Sequence, residues 1–319
     1  MLKIFRTDIF TQAILIVLVA VGMWVGVFIN PRPIPVEGGG PIFYWLTGRL
    51  SPLWGAILSL ILVLVEAFLL SAMLYRYKLI PQNTMMPSLF YVIAMGLGSP
   101  TLTPLVLGNL FLIFAIGQMM LTSTLLSIST DNIFASAALL AFATLLCPPM
   151  VVFFVPLFIN MFNYSIYGWR EWTVLILGIL APYIFVETIY YLEDTFFYRN
   201  YLLLYNLTDY QLNIHGNPVQ WVYSVGFAII LLIGLGASVV DLQSSTVNLK
   251  KNCGAMLIFI IGGILYCAYA SLVPLDTQAF ATSFACCATS IFLKPQKKEF
   301  LRSLIFFIII AAAITLNII

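Results

Sequence analysis

The chain has 319 residues, 62% of them apolar and only 8% charged, with a formal net charge of +2. No soluble fold can hide that much apolar surface, so the composition excludes one and points to an all-α, polytopic helical membrane bundle. No polar run exceeds about 30 residues, which leaves a single membrane domain over 1-319 and no separate module for a nucleotide, a nucleic acid or a protein partner.

A membrane-spanning helix needs roughly 20 apolar residues, about 17 to 25 as the usual range. Windows of this kind lie near 11-29, 54-74, 86-99, 102-121, 133-147, 150-162, 173-192, 221-239, 255-272, 277-293 and 303-319, which predicts eleven crossings, with nine as the alternative. The first apolar run is about 19 residues long with no Ala-x-Ala site after it, so it reads as an anchor rather than a cleavable signal.

Residues 30-53 form the first long loop, with Glu37 as its only acid, followed by Gly38-Gly39-Gly40. Glycines after a carboxylate let backbone approach a ligand and permit positive φ, which suits an acid poised at a cleft; they suit a plain flexible loop equally. Arg49 ends the same loop, and its guanidinium fork matches phosphoryl oxygens.

Glu66 lies well inside the second crossing. A carboxylate at such depth typically costs about 2.5 to 3.5 kcal/mol on insertion scales, so it must face a polar cavity or a partner helix. It reads either as a functional carboxylate or as a protonated acid bonded to a neighbour's amide. Asn109 and Gln118 of the fourth crossing are the expected partners, and their spacing points them to opposite faces, so only one can serve.

Fusing 86-121 into one helix of 36 residues would give about 54 Å, too long for a bilayer. Pro148 and Pro149 interrupt 133-162 and predict two short crossings there. In the seventh crossing Tyr183, Glu187, Tyr190, Tyr191 and Asp194 fall at helical spacing on one polar stripe, with Glu193 beside it. The stripe could line a substrate mouth or form an interfacial tyrosine girdle. The second long loop, 193-220, mixes Tyr, Phe and Leu in the manner of interfacial segments and carries Arg199 as a further candidate phosphate partner.

Small residues in the tenth crossing (Ala279, Ala281, Ser283, Ala285, Ala288 and Ser290) predict close helix packing. Cys147, Cys253, Cys267, Cys286 and Cys287 map to helices or the cytoplasmic side, so no disulfide is expected. Their spacing fits no zinc pattern, and the single histidine, His215, lies alone in a loop, so no metal site is expected. No cofactor is readable.

Threaded with the N-terminus in the cytoplasm, the inside turns collect Lys3, Arg6, Arg76, Lys78, Arg170, Lys250, Lys251, Lys294, Lys297, Lys298 and Arg302. The outside loops then keep Arg32, Arg49 and Arg199. That partition obeys the positive-inside rule. Fusing only 133-162 would place Lys250, Lys251 and the 294-302 cluster outside, against it.

Trp169-Arg170-Glu171-Trp172, the Pro-containing pair of short crossings after Asp131, and Gly178 with Pro182 in the next helix resemble a family of Bacteroidota inner-membrane proteins to which no activity is assigned. That resemblance runs over most of the chain, is sharpest across 105-182, and implies an inner-membrane location.

The layout is more weakly similar to that of C-type membrane glycosyltransferases, which use polyprenyl-phosphate sugars. It matches them in many crossings, an acid in the first outer loop, paired short helices in the middle and a long later loop. Many such enzymes place an Asp, often with a second acid, where this chain has Glu37 alone.

The resemblance implies a lipid-linked sugar transferase with Glu37 as general base, Arg49 or Arg199 on the leaving polyprenyl phosphate, and the 183-194 stripe around the sugar. The alternatives are a transporter or flippase of an amphipathic solute using Glu66, and a non-catalytic membrane subunit of an envelope complex. The expected partners are membrane lipids, with a polyprenyl-phosphate carrier among them.

Overall fold

The computed structural model describes residues 9–35, 39–48, 50–80, 84–98, 100–122, 129–195, 197–201, 218–243, 247–270 and 277–293. Glu37, Arg49, His215, the 294-302 basic cluster and the window 303-319 lie outside these. The described elements are all helical. They are α1 (Ile9–Ile29), α2 (Pro41–Thr47), α3 (Pro52–Arg76), α4 (Met86–Gly98), α5 (Pro104–Leu121), α6 (Thr130–Leu146), a 3-10 helix (Pro148–Phe153), α7 (Phe154–Asn163), α8 (Trp169–Leu192), α9 (Pro218–Gln243), α10 (Val247–Ala270) and α11 (Ala281–Leu293).

The described parts of the apolar windows from 11-29 to 277-293 are largely helical; 150-162 spans the 3-10 helix and α7, and 277–280 is a turn. Among the described residues, five are long and apolar enough to cross a membrane: Ile9–Ile29, Pro52–Arg76, Pro104–Leu121, Trp169–Leu192 and Val247–Tyr269. Shorter apolar stretches among the described residues are Met86–Gly98, Thr130–Leu146, Pro148–Asn163, Val225–Ser238 and Ala281–Ile291. The protein is a multi-pass helical membrane protein by the length and composition of these segments.

Local sequence fixes where the helices begin. Ser51-Pro52 opens α3 and Thr103-Pro104 opens α5, each hydroxyl accepting from the backbone N–H three residues on, at 3.5 and 3.3 Å. Proline at the first helical position sacrifices an N–H that has no intrahelical partner anyway. Three helices end on a residue with positive φ that is not glycine: Lys78, Ser165 and Asp194.

Successive elements alternate in direction. Tyr77 at the end of α3 donates to the Gly117 carbonyl in α5 at 2.8 Å, while Ser59 near the start of α3 donates to Thr101 O just before α5 at 3.1 Å. The chain also reverses at Cys147-Pro148-Pro149. Both ends of that hairpin sit by the first turns of α8: Gly178 packs on Phe134 of α6, and Trp172 stacks on Phe158 of α7. The two short segments 133-147 and 150-162 therefore run in opposite directions.

The centre of the bundle is α4, and Met86 to Gly96 are buried on every side of it. It is held by α1, α3 and α11. With 13 residues it is about 20 Å long, shorter than the bilayer core. The turn Thr277–Phe280 fills the space beyond its C-terminus: Thr277 Oγ1 donates to Ala94 O at 2.8 Å and Gln278 Nε2 to Met95 O at 3.2 Å. Side chains far along the chain thus satisfy carbonyls at the end of α4.

The small residues of the tenth window are packed inside the bundle. Ala281, Ala285 and Ala288 are fully buried, Ser283 donates to Met256 O in α10 at 3.1 Å, and Gly234 of α9 sits against the Cys287 backbone.

At the end of the bundle opposite α2, Lys251 Nζ reaches Tyr164 O at 3.4 Å and Ser165 Oγ at 3.2 Å, placing a cation on the C-terminus of α7. Tyr164 donates to Asn252 Oδ1 at 3.0 Å, and burial pushes its phenol well above the ordinary tyrosine range.

Candidate functional site

The sequence places its candidate residues in the two long loops and on the 183-194 stripe, and the structure gathers Ile42 of the first loop and Tyr190, just before the second, in one apolar cluster at the α2 end of the bundle. The first loop is not plain coil, because Pro41–Thr47 is helical. Phe43 is buried in a small core with Leu102, Leu107 and Leu146, while Tyr44, Trp45 and Leu46 face outward. A helix of 7 residues is far too short to cross a bilayer, and it keeps one side buried against the bundle.

Gly40 explains how this helix docks. Its N–H donates to Leu146 O at 2.8 Å, closing the C-terminus of α6, and a Cβ there would stand 1.9 Å from Leu145 O. Its φ of −76° is ordinary. The glycine therefore serves close approach of backbone to backbone, and neither positive φ nor a ligand is needed to account for it.

Leu145 in turn packs on Val186 and Tyr190 of α8, with Ile42, Phe142 and Tyr183 around them. The segment just after Glu37 is thereby anchored beside the C-terminal half of α8. Gly39 and Gly40 are two and three residues from Glu37, a reach of at most about 11 Å along extended backbone. Arg49 is bracketed by Gly48, whose N–H donates to Tyr44 O, and by Leu50, packed on the Phe43 core.

The predicted stripe on α8 divides in two. Tyr183, Glu187 and Tyr190 face α6 and the chain that follows α8: Tyr183 shares a hydrogen bond with Thr144 Oγ1 at 2.5 Å, and Glu187 Oε2 accepts from Asn200 Nδ2 at 2.8 Å. Tyr191 and Asp194 do not join them. Tyr191 is 72% exposed, and Asp194, at φ 54°, terminates the helix. The N–H of Asp194 bonds to Tyr191 O and that of Thr195 to Tyr190 O, the Schellman pairing that closes a helix.

Arg199 folds back onto this end. Its Cζ lies 4.8 Å from the Tyr190 ring centroid, and Nη2 bridges to Glu193 Oε2 at 3.1 Å. The pair is partly exposed, so it contributes under about 1 kcal/mol, and an incoming anion can displace Glu193 at little cost. The cluster thus offers a carboxylate fixed by an amide, a guanidinium on an aromatic face, and two tyrosines behind them. Below it α8 presents Leu177, Leu180, Ile184 and Phe185 outward, an apolar wall leading up to the polar groups.

Glu66 lies elsewhere, fully buried between α3 and α4. Its partner is neither of the amides expected from the sequence. Tyr91 donates to Glu66 Oε2 at 2.9 Å, and Oε1 has no hydrogen-bond partner. Asn109 instead donates to Gln278 O at 3.0 Å, and Gln118 is half-buried further along α5.

The signal that finds Tyr91 is the hairpin itself. In antiparallel neighbours, residues equidistant from the turn face each other: 66 and 91 are centred between 78 and 79, and Ser71 and Ser88, joined at 2.6 Å, one residue further on, between 79 and 80. Among the described residues no group of three or more His, Cys, Asp or Glu could hold a metal ion. The chain matches no protein-family model, no curated protein and no solved structure.

Proposed function

We propose that this is an inner-membrane protein, N-terminus in the cytoplasm, that transfers a sugar from a polyprenyl-phosphate carrier to an acceptor at the extracytoplasmic, α2 end of the bundle. The observation that carries the reading is the docking of Gly40 on the C-terminus of α6, where Leu145 packs on Tyr190, the ring beneath Arg199. Glu37 accepts the proton of the acceptor hydroxyl as its oxygen bonds to the anomeric carbon. The bond from that carbon to the phosphate oxygen breaks, and the polyprenyl phosphate departs with the electron pair.

Arg199, released from Glu193, and Arg49 steady the departing phosphate. Glu187 and its tyrosine neighbours hold sugar hydroxyls. A lipid-linked donor suits the site because its tail can stay in the bilayer along the apolar face of α8 while its phosphate reaches the guanidinium. The weak likeness to C-type membrane glycosyltransferases and the gathering of basic residues at the other end support the same reading.

The test is transfer from fluorescent polyprenyl-phosphate sugars in membranes containing the protein. Glu37→Gln should lose at least about a hundred-fold in rate, as expected for removal of a general base. Full turnover in that variant overturns the assignment.

A further inference from the structure

The core of the molecule holds a second polar site that the sugar-transfer reading does not use. Glu66, Tyr91, Asn109 and Gln278 form a continuous file through otherwise apolar packing. Thr103, half-buried at the α2 end, donates to Gln278 Oε1 at 3.0 Å; the Gln278 carbonyl accepts from Asn109 Nδ2 at 3.0 Å. The Asn109 side chain lies against the Tyr91 hydroxyl, which donates to Glu66 Oε2 at 2.9 Å. Glu66 Oε1 and Asn109 Oδ1 are both buried without a hydrogen-bond partner.

Charge balance decides what this arrangement is for. The helices packed on α3 are α1, α4 and α5. Within them α1 and α5 contain no ionisable side chain, and α4 contains only Tyr91. The helix against the other side of α4, α11, brings only Cys286 and Cys287. Arg76 is the one cation on α3, and it stands ten residues from Glu66, about 15 Å along the helix.

Among the described residues no cation therefore neutralises Glu66, and an uncompensated carboxylate is not tolerated in such an interior. Beside Glu66 Oε1, the oxygens that can accept around the file are the unpartnered Asn109 Oδ1, the Tyr91 phenol oxygen, and the carbonyls at the end of the short helix α4, two of which already accept one bond each from Thr277 and Gln278. Ends of interrupted helices with a nearby carboxylate are places where small cations are held within membranes.

We infer that Glu66 is the anion of a buried monovalent-cation site, occupied by a proton or by Na⁺ and reached from the α2 end along Thr103, Gln278, Asn109 and Tyr91. The site stands independently of the sugar-transfer reading. Its occupant neutralises the carboxylate, and the polar file gives it a way in.

Dicyclohexylcarbodiimide tests this directly, because it enters apolar interiors and adds to the protonated carboxyl to give an N-acylurea, with no leaving group. The full-length protein in membrane vesicles is treated in choline buffer and the adduct located by mass spectrometry. With a proton as occupant, Glu66 is modified, with yield falling about ten-fold per pH unit once the carboxyl ionises. Sodium then changes nothing.

With Na⁺ as occupant, sodium but not potassium or choline suppresses the adduct at fixed pH and raises the unfolding midpoint. Glu66→Gln removes either response. Tyr91→Phe keeps the carboxyl, and it shifts the pH or sodium dependence even if the glutamine variant fails to fold. Absence of an adduct at every pH, with labelling of the denatured chain intact and no sodium effect, overturns the inference. So does labelling that depends on neither pH nor sodium.

Discussion

Lys78, Ser165 and Asp194 each sit at the position where a helix turns out of its own axis, at φ of 56°, 61° and 54°. All three show the same paired bonds: Lys78 N to Tyr75 O with Leu79 N to Leu74 O, and Ser165 N to Phe162 O with Ile166 N to Met161 O, mirror the pair at Asp194. Side chains other than glycine cost about 1–2 kcal/mol in this conformation. Replacing each in turn by glycine should raise stability by up to about 1 kcal/mol, partly offset by the added freedom of the unfolded chain. Thermal unfolding in detergent checks it, and a lower midpoint in all three variants contradicts it. Asp194 was legible in the sequence as an acid at helical spacing, and its backbone conformation was not, because aspartate carries no mark of positive φ. Tyr91 was missed for a related reason: a phenol in an apolar run reads as core, and its hydroxyl matters only once α3 and α4 are known to be a hairpin.

At the scale of elements, α6 and α8 pack in parallel through a glycine. A Cβ on Gly178 would lie 2.7 Å from Phe134 O and 2.9 Å from Ala137 Cβ, so backbone, not a flexible side chain, stands in the way. Gly178→Leu should separate the pair and destabilise the protein by about 1–3 kcal/mol, read as a lower unfolding midpoint, whereas Gly236→Leu, which meets nothing within 4 Å, should leave it nearly unchanged. Equal effects at the two positions would show that this contact does not hold the pair together. The long helices were visible from apolar length alone, and the break at Pro148 and Pro149 from lost backbone donors. The helix α2 was not, since a segment of 7 residues between prolines and glycines carries too little pattern to separate from coil. The central place of α4 was hidden too: being apolar all round marks a buried helix, yet it does not say which neighbours bury it.

For the whole molecule, α8 gives a ruler. Trp169 at its start and Tyr191 near its end are both exposed, 80% and 72%, and 22 residues of helix separate them by about 33 Å. That spacing matches a hydrocarbon core of about 30 Å with an aromatic belt at each face. The opposite end carries exposed Lys250, whose compartment sets the orientation of everything else. A Lys250→Cys variant in a background without other cysteines should resist a membrane-impermeant maleimide in intact cells and react once the membrane is opened. Reaction in intact cells would reverse the orientation and move the α2 end, with its acid-bearing loop, to the cytoplasm. The alternation of directions was readable from the spacing of apolar windows and basic turns, whereas the docking of the first loop beside α8 depends on Gly40 reaching Leu146, a contact across more than a hundred residues that no local pattern encodes.

The capping of α4 by Thr277 and Gln278 has a consequence for biogenesis. The chain leaves the ribosome from its N-terminus, so α4 is made about 180 residues before the groups that satisfy its final carbonyls. Until they arrive, the middle of the nascent bundle has an open polar end that the insertion machinery or water must shelter. A chain stopped between α10 and α11 therefore lacks the groups that close its interior, and the turn Thr277–Phe280 supplies them at a late step of assembly.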